Sequence, residues 1–176
     1  MWGDANTTRS VALADSLTKD DIYDAMRNYR IYATEDNDLS VYYTLDDYVM
    51  GSILSKDEVD DTVTLSVRLS DPTDNAIGKV EVIVNGGYSL ESKYVDSNSD
   101  TVSFNVGSDY SYYYIKITEA DGDIAVTAPV WIGEVEAVGI SDFSTDAALA
   151  VQNQPLDLTL DLYNNENSEL EINNIE

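Results

Sequence analysis

The sequence predicts a mainly β protein: an antiparallel β-sandwich with one N-terminal α-helix, followed by a partial second β-domain. Three observations carry that expectation. Apolar and polar residues alternate in short stretches from Leu39 onward, turns rich in Asp, Asn and Gly separate those stretches, and one segment alone has helical spacing. That helix is expected over residues 19–29. Thr18 is placed to cap it, Asp20 and Asp21 put negative charge at the positive end of the helix dipole, and Arg27 and Arg30 do the reverse at the other end. Leu17 is expected to staple onto Ile22. Ile22, Ala25, Met26 and Tyr29 share a face that should dock on a sheet, because a lone amphipathic helix cannot bury its own apolar stripe.

The strands follow in order. Leu39, Val41, Tyr43 and Leu45 form the first, and after Asp46-Asp47 a hairpin partner is expected over residues 49–54. Val63, Leu65, Val67 and Leu69 alternate with Thr62, Thr64, Ser66 and Arg68 before Asp71-Pro72-Thr73-Asp74 turns the chain. Val80, Val82 and Val84 come next, closed by Asn85-Gly86-Gly87. Further strands are expected at Tyr88–Val95 and over residues 101–106, 110–118 and 124–126, with polar turns between them. Short strands at this spacing indicate an immunoglobulin-like sandwich rather than βα units. The pattern restarts near Gly133, with strands expected over 135–140, around Leu156 to Leu162 and over 170–175. The expected division is residues 1–38 as the end of a preceding domain, 39–133 as the sandwich, and 134–176 as the start of a further β-domain or an extra sheet. Those last residues are too few for a sandwich, and the pattern stops in mid-course at Glu176, which reads as truncation.

Composition narrows the function classes. The 34 Asp and Glu against 9 Lys and Arg give a formal charge of −25, which repels nucleic acids and acidic lipid surfaces. The absence of Cys removes disulfides and thiolate chemistry, and the absence of His removes the commonest general base and transition-metal ligand. Thirteen Tyr beside two Phe and two Trp, with many Asp, Asn, Ser and Thr, resembles the composition of extracellular β-proteins of Gram-positive bacteria. The chain is therefore expected outside the cell or on its surface. Met1-Trp2-Gly3-Asp4 has neither the basic nor the apolar region of a signal peptide, so the signal is expected outside these residues. No apolar run approaches the roughly 18 residues of a membrane span, so no membrane insertion is expected.

Two constellations are candidates for binding. Asp96, Asn98 and Asp100 have the spacing of oxygen ligands in calcium loops, although Thr101 and Gly107 stand where an EF-hand places Gly and Glu. They are a calcium candidate, alone or shared with Asp121 or Asp123; the same residues also make an ordinary solvated turn. Tyr110, Tyr112 and Tyr114 share one face of a strand and are a candidate glycan platform, while Tyr113 falls with Ile115 and Ile117 on the core side. A tyrosine-rich strand is equally a good strand for its own sake. Asp57, Glu58, Asp60 and Asp61 read as a solvated loop, and no phosphate loop or serine elbow is present. No catalytic residue is therefore expected.

Three runs carry a family resemblance: Arg9-Ser10-Val11-Ala12-Leu13-Ala14, the stretch from Leu17-Thr18-Lys19-Asp20-Asp21-Ile22 through Ala25-Met26-Arg27, and Arg30-Ile31-Tyr32-Ala33-Thr34. With Met50-Gly51, they resemble the closing segment of the PHP-domain metallohydrolases, in the CehA/McbA-like branch of that phosphoesterase superfamily. The region from Tyr112 to Ile132, with Asp121-Gly122-Asp123 and Ala128-Pro129-Val130, is similar to that family's closing β-rich segment. The resemblance implies a parent hydrolase that holds divalent metals through His, Asp and Glu ligands lying before Trp2. This chain has no His, so those ligands do not transfer to it, and it is expected to be non-catalytic and without a cofactor of its own. The resemblance also implies that Trp2, Asp4 and Arg9 lie nearest the missing cleft; Arg9 otherwise reads as an ordinary surface or capping arginine. The expected partners are the rest of its own chain, namely a PHP-like catalytic domain and further β-domains, with cell-wall glycan or protein as an external ligand and no nucleic acid. The alternative is a self-contained extracellular binding module for glycan or protein, stabilised by calcium.

Overall fold

The computed structural model describes residues 7–73, 76–133, 138–145 and 158–164. Among these residues it is mainly β, built from largely antiparallel sheets with one α-helix, α1 (Lys19–Arg27). The side-chain oxygen of Thr18 accepts the Asp21 amide at 3.2 Å, as the capping argument requires. The helix ends two residues earlier than expected because Tyr29 adopts a left-handed backbone, φ 53°. That turn feeds the chain into strand β2 (Ile31–Thr34). The expected staple is absent: Leu17 is 97% exposed and does not pack on Ile22. Ala25 is the buried residue of the helix, whereas Tyr23 and Met26 face solvent.

The smaller sheet contains β3 (Ser40–Leu45), β4 (Tyr48–Val49), β6 (Thr62–Ser70) and β9 (Ser99–Gly107) in the order β4-β3-β6-β9. The larger contains β1 (Arg9–Ala12), β2, β5 (Ile53–Leu54), β7 (Gly78–Val84), β8 (Tyr88–Val95), β10 (Tyr112–Thr118), β11 (Ile124–Thr127) and β12 (Val130–Ile132). Strand β10 lies at its centre. One edge of β10 pairs with β7, which pairs with β8; the other edge pairs with β12 at Tyr112↔Trp131 and with β11 at Lys116↔Val126. Ala128-Pro129 separates β11 from β12, and a proline cannot donate to the ladder there. Strand β2 then pairs with β11, and β1 with β2. The short β5 pairs with β12 in parallel.

Alternation sets the core. Val41, Tyr43 and Leu45, with Val63, Leu65, Val67 and Leu69 and with Val102, Phe104 and Val106, come from the smaller sheet. They form one cluster with Val80, Val82 and Val84 and with Tyr113, Ile115 and Ile117 of the larger. Each such aliphatic side chain contributes about 1.5–3 kcal/mol on full burial. The two enclosed tyrosines keep their hydroxyls paired: Tyr43 donates to the Tyr113 carbonyl at 3.2 Å, and Tyr113 donates to the Gly107 carbonyl at 2.6 Å.

Two departures from the sequence reading matter. The hairpin partner expected over 49–54 is broken at Met50-Gly51, and the chain crosses there from the smaller sheet to the larger. Gly51 has φ 92°, and a Cβ on it would lie 2.2 Å from the Asn28 carbonyl oxygen, so the crossover is pressed against the end of α1. Secondly, β1, β2 and β12 were not expected as strands. Through β2, the segment read as the end of a preceding domain is hydrogen-bonded into the larger sheet, and Met1–Gly133 forms one compact unit. Glu134–Glu176 forms a second, in which β13 (Val138–Thr145) pairs antiparallel with β14 (Leu158–Asn164). The strand expected over 170–175 lies outside the described residues, as do Trp2 and Asp4. No helix among the described residues is long and apolar enough to cross a membrane.

Candidate functional site

Strand alternation does not stop where the apolar core stops. The inward series Val63, Leu65, Val67, Leu69 of β6 continues just past the strand to Asp71, and the series Tyr113, Ile115, Ile117 of β10 continues just past its end to Glu119. In β2 the inward residues Tyr32 and Thr34 are followed two positions on by Asp36. Carboxylate oxygens of Asp36, Asp71 and Glu119 all lie within 4.8 Å of one another, an arrangement that could hold a metal ion. Asp71 is fully buried and Glu119 is only 4% exposed.

The three acids are held differently. Asp36 Oδ1 accepts the amides of Asp38 at 2.6 Å and Leu39 at 2.8 Å. Burial opposes its ionisation, but those bonds and the charge of Arg9 outweigh it, so its carboxyl sits below the usual range. Asp71 Oδ1 accepts the Thr73 amide at 3.1 Å, and its own amide donates to the Asn98 carbonyl at 2.8 Å. Glu119 opens a tight turn in which its amide donates to the Asp123 carbonyl at 2.8 Å. Neither side-chain oxygen of Glu119 meets a donor. Two ionised carboxylates cannot bond one another, so Glu119 can bond its neighbour Asp71 only by taking up a proton. Burial first, then Asp71, and then the charges of Asp36, Asp71 and Asp121 push its carboxyl up to about 9. Asp123, nearby, is raised by burial and by Asp121, Glu35 and Asp36.

A second feature is apolar. Tyr29 meets Trp131 edge-on at 5.5 Å between ring centroids, and Ile53 stands beside Trp131 in the β5–β12 register. Tyr29 and Ile53 are each about half exposed, as is Met26 on the helix, and Tyr23 beside it is also exposed. Arg27, Tyr29, Met50, Gly51 and Ile53 line a cleft between the helix end and the crossover.

Asp96, Asn98 and Asp100 are all exposed, in and just after the β8–β9 turn. Asp100 Oδ1 accepts the Thr101 amide; among the described residues the carboxylates that converge are those of Asp36, Asp71 and Glu119. Tyr112 and Tyr114 stack at 6.3 Å, half-buried, with the Tyr112 hydroxyl accepting the Gly86 amide. Tyr110 instead packs edge-on against the buried Tyr113 at 5.9 Å, so the structure brings together two of the three platform residues. Arg9 opens β1, half-buried, and its charge reaches Asp36. The acidic triad was missed because each member reads singly as a turn residue. Its available signal was the extension of the inward alternation by one further position in three strands.

No protein-family model matches the chain, and no curated protein matches it.

Proposed function

We propose that the chain is a non-catalytic, C-terminal accessory region of a larger secreted or cell-surface, PHP-like metal-dependent hydrolase. In this reading its immunoglobulin-like sandwich braces the catalytic domain and spaces it from further β-domains or from the wall. The observation that carries the reading is the unfinished packing of α1. A helix that buries Ala25 and leaves Tyr23 and Met26 in solvent, beside the exposed Tyr29 and Ile53, has an apolar surface that its own sandwich does not cover. The helix lies in the segment that resembles the end of the PHP domain, so the occupant of that surface is the remainder of that domain.

The metals implied by the resemblance do not fit this chain as a catalytic set, because their His ligands have no counterpart here. The purified 176-residue chain is accordingly expected to give no turnover on a panel of phosphomonoesters and phosphodiesters supplied with manganese, zinc or magnesium. Metal-dependent turnover lost on mutating a carboxylate pair would overturn the proposal. The stacked Tyr112 and Tyr114 favour a second reading, a glycan-binding module. Retention of the chain on insoluble cell-wall glycan, lost in Tyr114→Ala, would support it over the first.

A further inference from the structure

The inward faces of both sheets end on acids at the same end of the sandwich: Asp71 from the smaller sheet, Asp36 and Glu119 from the larger. Oxygens within 4.8 Å of one another suit a shared ion, since two ligands each about 2.4 Å from a calcium ion can be no more than about 4.8 Å apart. Glu119 supplies an independent observation. Its side chain is more than nine-tenths buried, is aimed at the other two acids, and neither of its oxygens meets a hydrogen-bond donor. A buried carboxylate without a donor is costly unless a proton or a cation neutralises it.

We propose that Asp36, Asp71 and Glu119 form a calcium site that ties the two sheets together at this end of the core. The donor set is all carboxylate oxygen, which selects a hard cation over zinc or copper. Carboxylates arriving from three separate loops suit the variable coordination of calcium better than the strict octahedron of magnesium. A proton shared between Glu119 and Asp71 would neutralise one charge and leave Asp36 facing the other, whereas a divalent ion engages all three. Asp121, Asp123 and Glu35 around the site add to the negative potential, with Arg9 the positive charge felt at Asp36. Each acid follows a strand of one of the two sheets, and the site stands or falls independently of the accessory-region reading.

Thermal unfolding of the 176-residue chain in millimolar calcium, in millimolar magnesium and in chelator, at one ionic strength, tests the site. Calcium is expected to raise Tm by about 5–10 °C over chelator, and magnesium to do so by less than half as much. Glu119→Gln should abolish the calcium shift, and Asp100→Asn should retain it. Should Glu119→Gln fail to fold, the half-buried Asp36→Asn reads the same loss. Equal Tm in calcium and chelator would overturn the proposal in favour of the shared proton. Equal shifts in calcium and magnesium would overturn it in favour of general screening of the −25 charge. A calcium shift that survives Glu119→Gln, or one lost in Asp100→Asn, would also overturn it.

Discussion

Gly78 shows how single residues fix the acidic end. Its φ is 105°, and a Cβ there would lie 2.5 Å from the Thr118 carbonyl oxygen and 2.9 Å from the Glu119 carbonyl carbon. Gly78→Ala is expected to cost about 1–3 kcal/mol from backbone conformation alone, read from urea unfolding, and to displace the Glu119 turn. One position further on, Lys79 Nζ meets Glu81 Oε1 at 2.6 Å, and Ser89 donates to the same oxygen at 2.8 Å. Lys79 first, against the opposing effect of burial and with help from Ser89, holds the Glu81 carboxyl below its ordinary value of 4.5. A lowered folded-state value means the stabilisation is fully present above pH 4.5 and is lost as pH falls through the depressed value. Glu81→Gln should therefore unfold at lower temperature than the wild type at pH 7, and the gap should close on acidification. A gap independent of pH would mean that the pair contributes through packing rather than charge.

At the scale of elements, helix and strands were legible to different depths. Thr18 and the paired Asp20 and Asp21 marked the start of α1 correctly because capping is a local interaction. The fate of its apolar face was not legible, since burial depends on what else the helix meets. Met26→Glu, a substitution on that exposed face, should change the stability of this chain by no more than about 0.5 kcal/mol. In a longer protein carrying the proposed upstream domain, the same change should lower Tm measurably. An equal and large effect in both would mean that Met26 packs within the sandwich. Strands β6 and β10 were legible because alternation between two faces is a property of the strand itself. Their terminal acids were not, because Asp71 and Glu119 sit among turn residues and only three-dimensional convergence with Asp36 distinguishes them.

At the scale of the molecule, composition and periodicity gave a β-rich chain, while sheet assignment escaped them. The parallel pairing of β5 with β12 and the entry of β1 and β2 into the larger sheet join residues far apart in sequence, and no local pattern encodes such contacts. The break at Met50-Gly51 has the same origin: Gly51 is needed for its approach to Asn28, a contact between elements. The residues of the family resemblance lie in this structurally integrated segment, with Arg9 and Tyr32 on β1 and β2 and Met50-Gly51 at the crossover. The reading of the chain as the accessory end of a larger hydrolase is tested most directly by sequencing the gene upstream of the Trp2 codon. An Asp-x-His pair within the few codons before it, with further His-containing ligand runs earlier, is the expected result. A signal peptide or an unrelated β-repeat at that place would contradict it and leave a surface binding module.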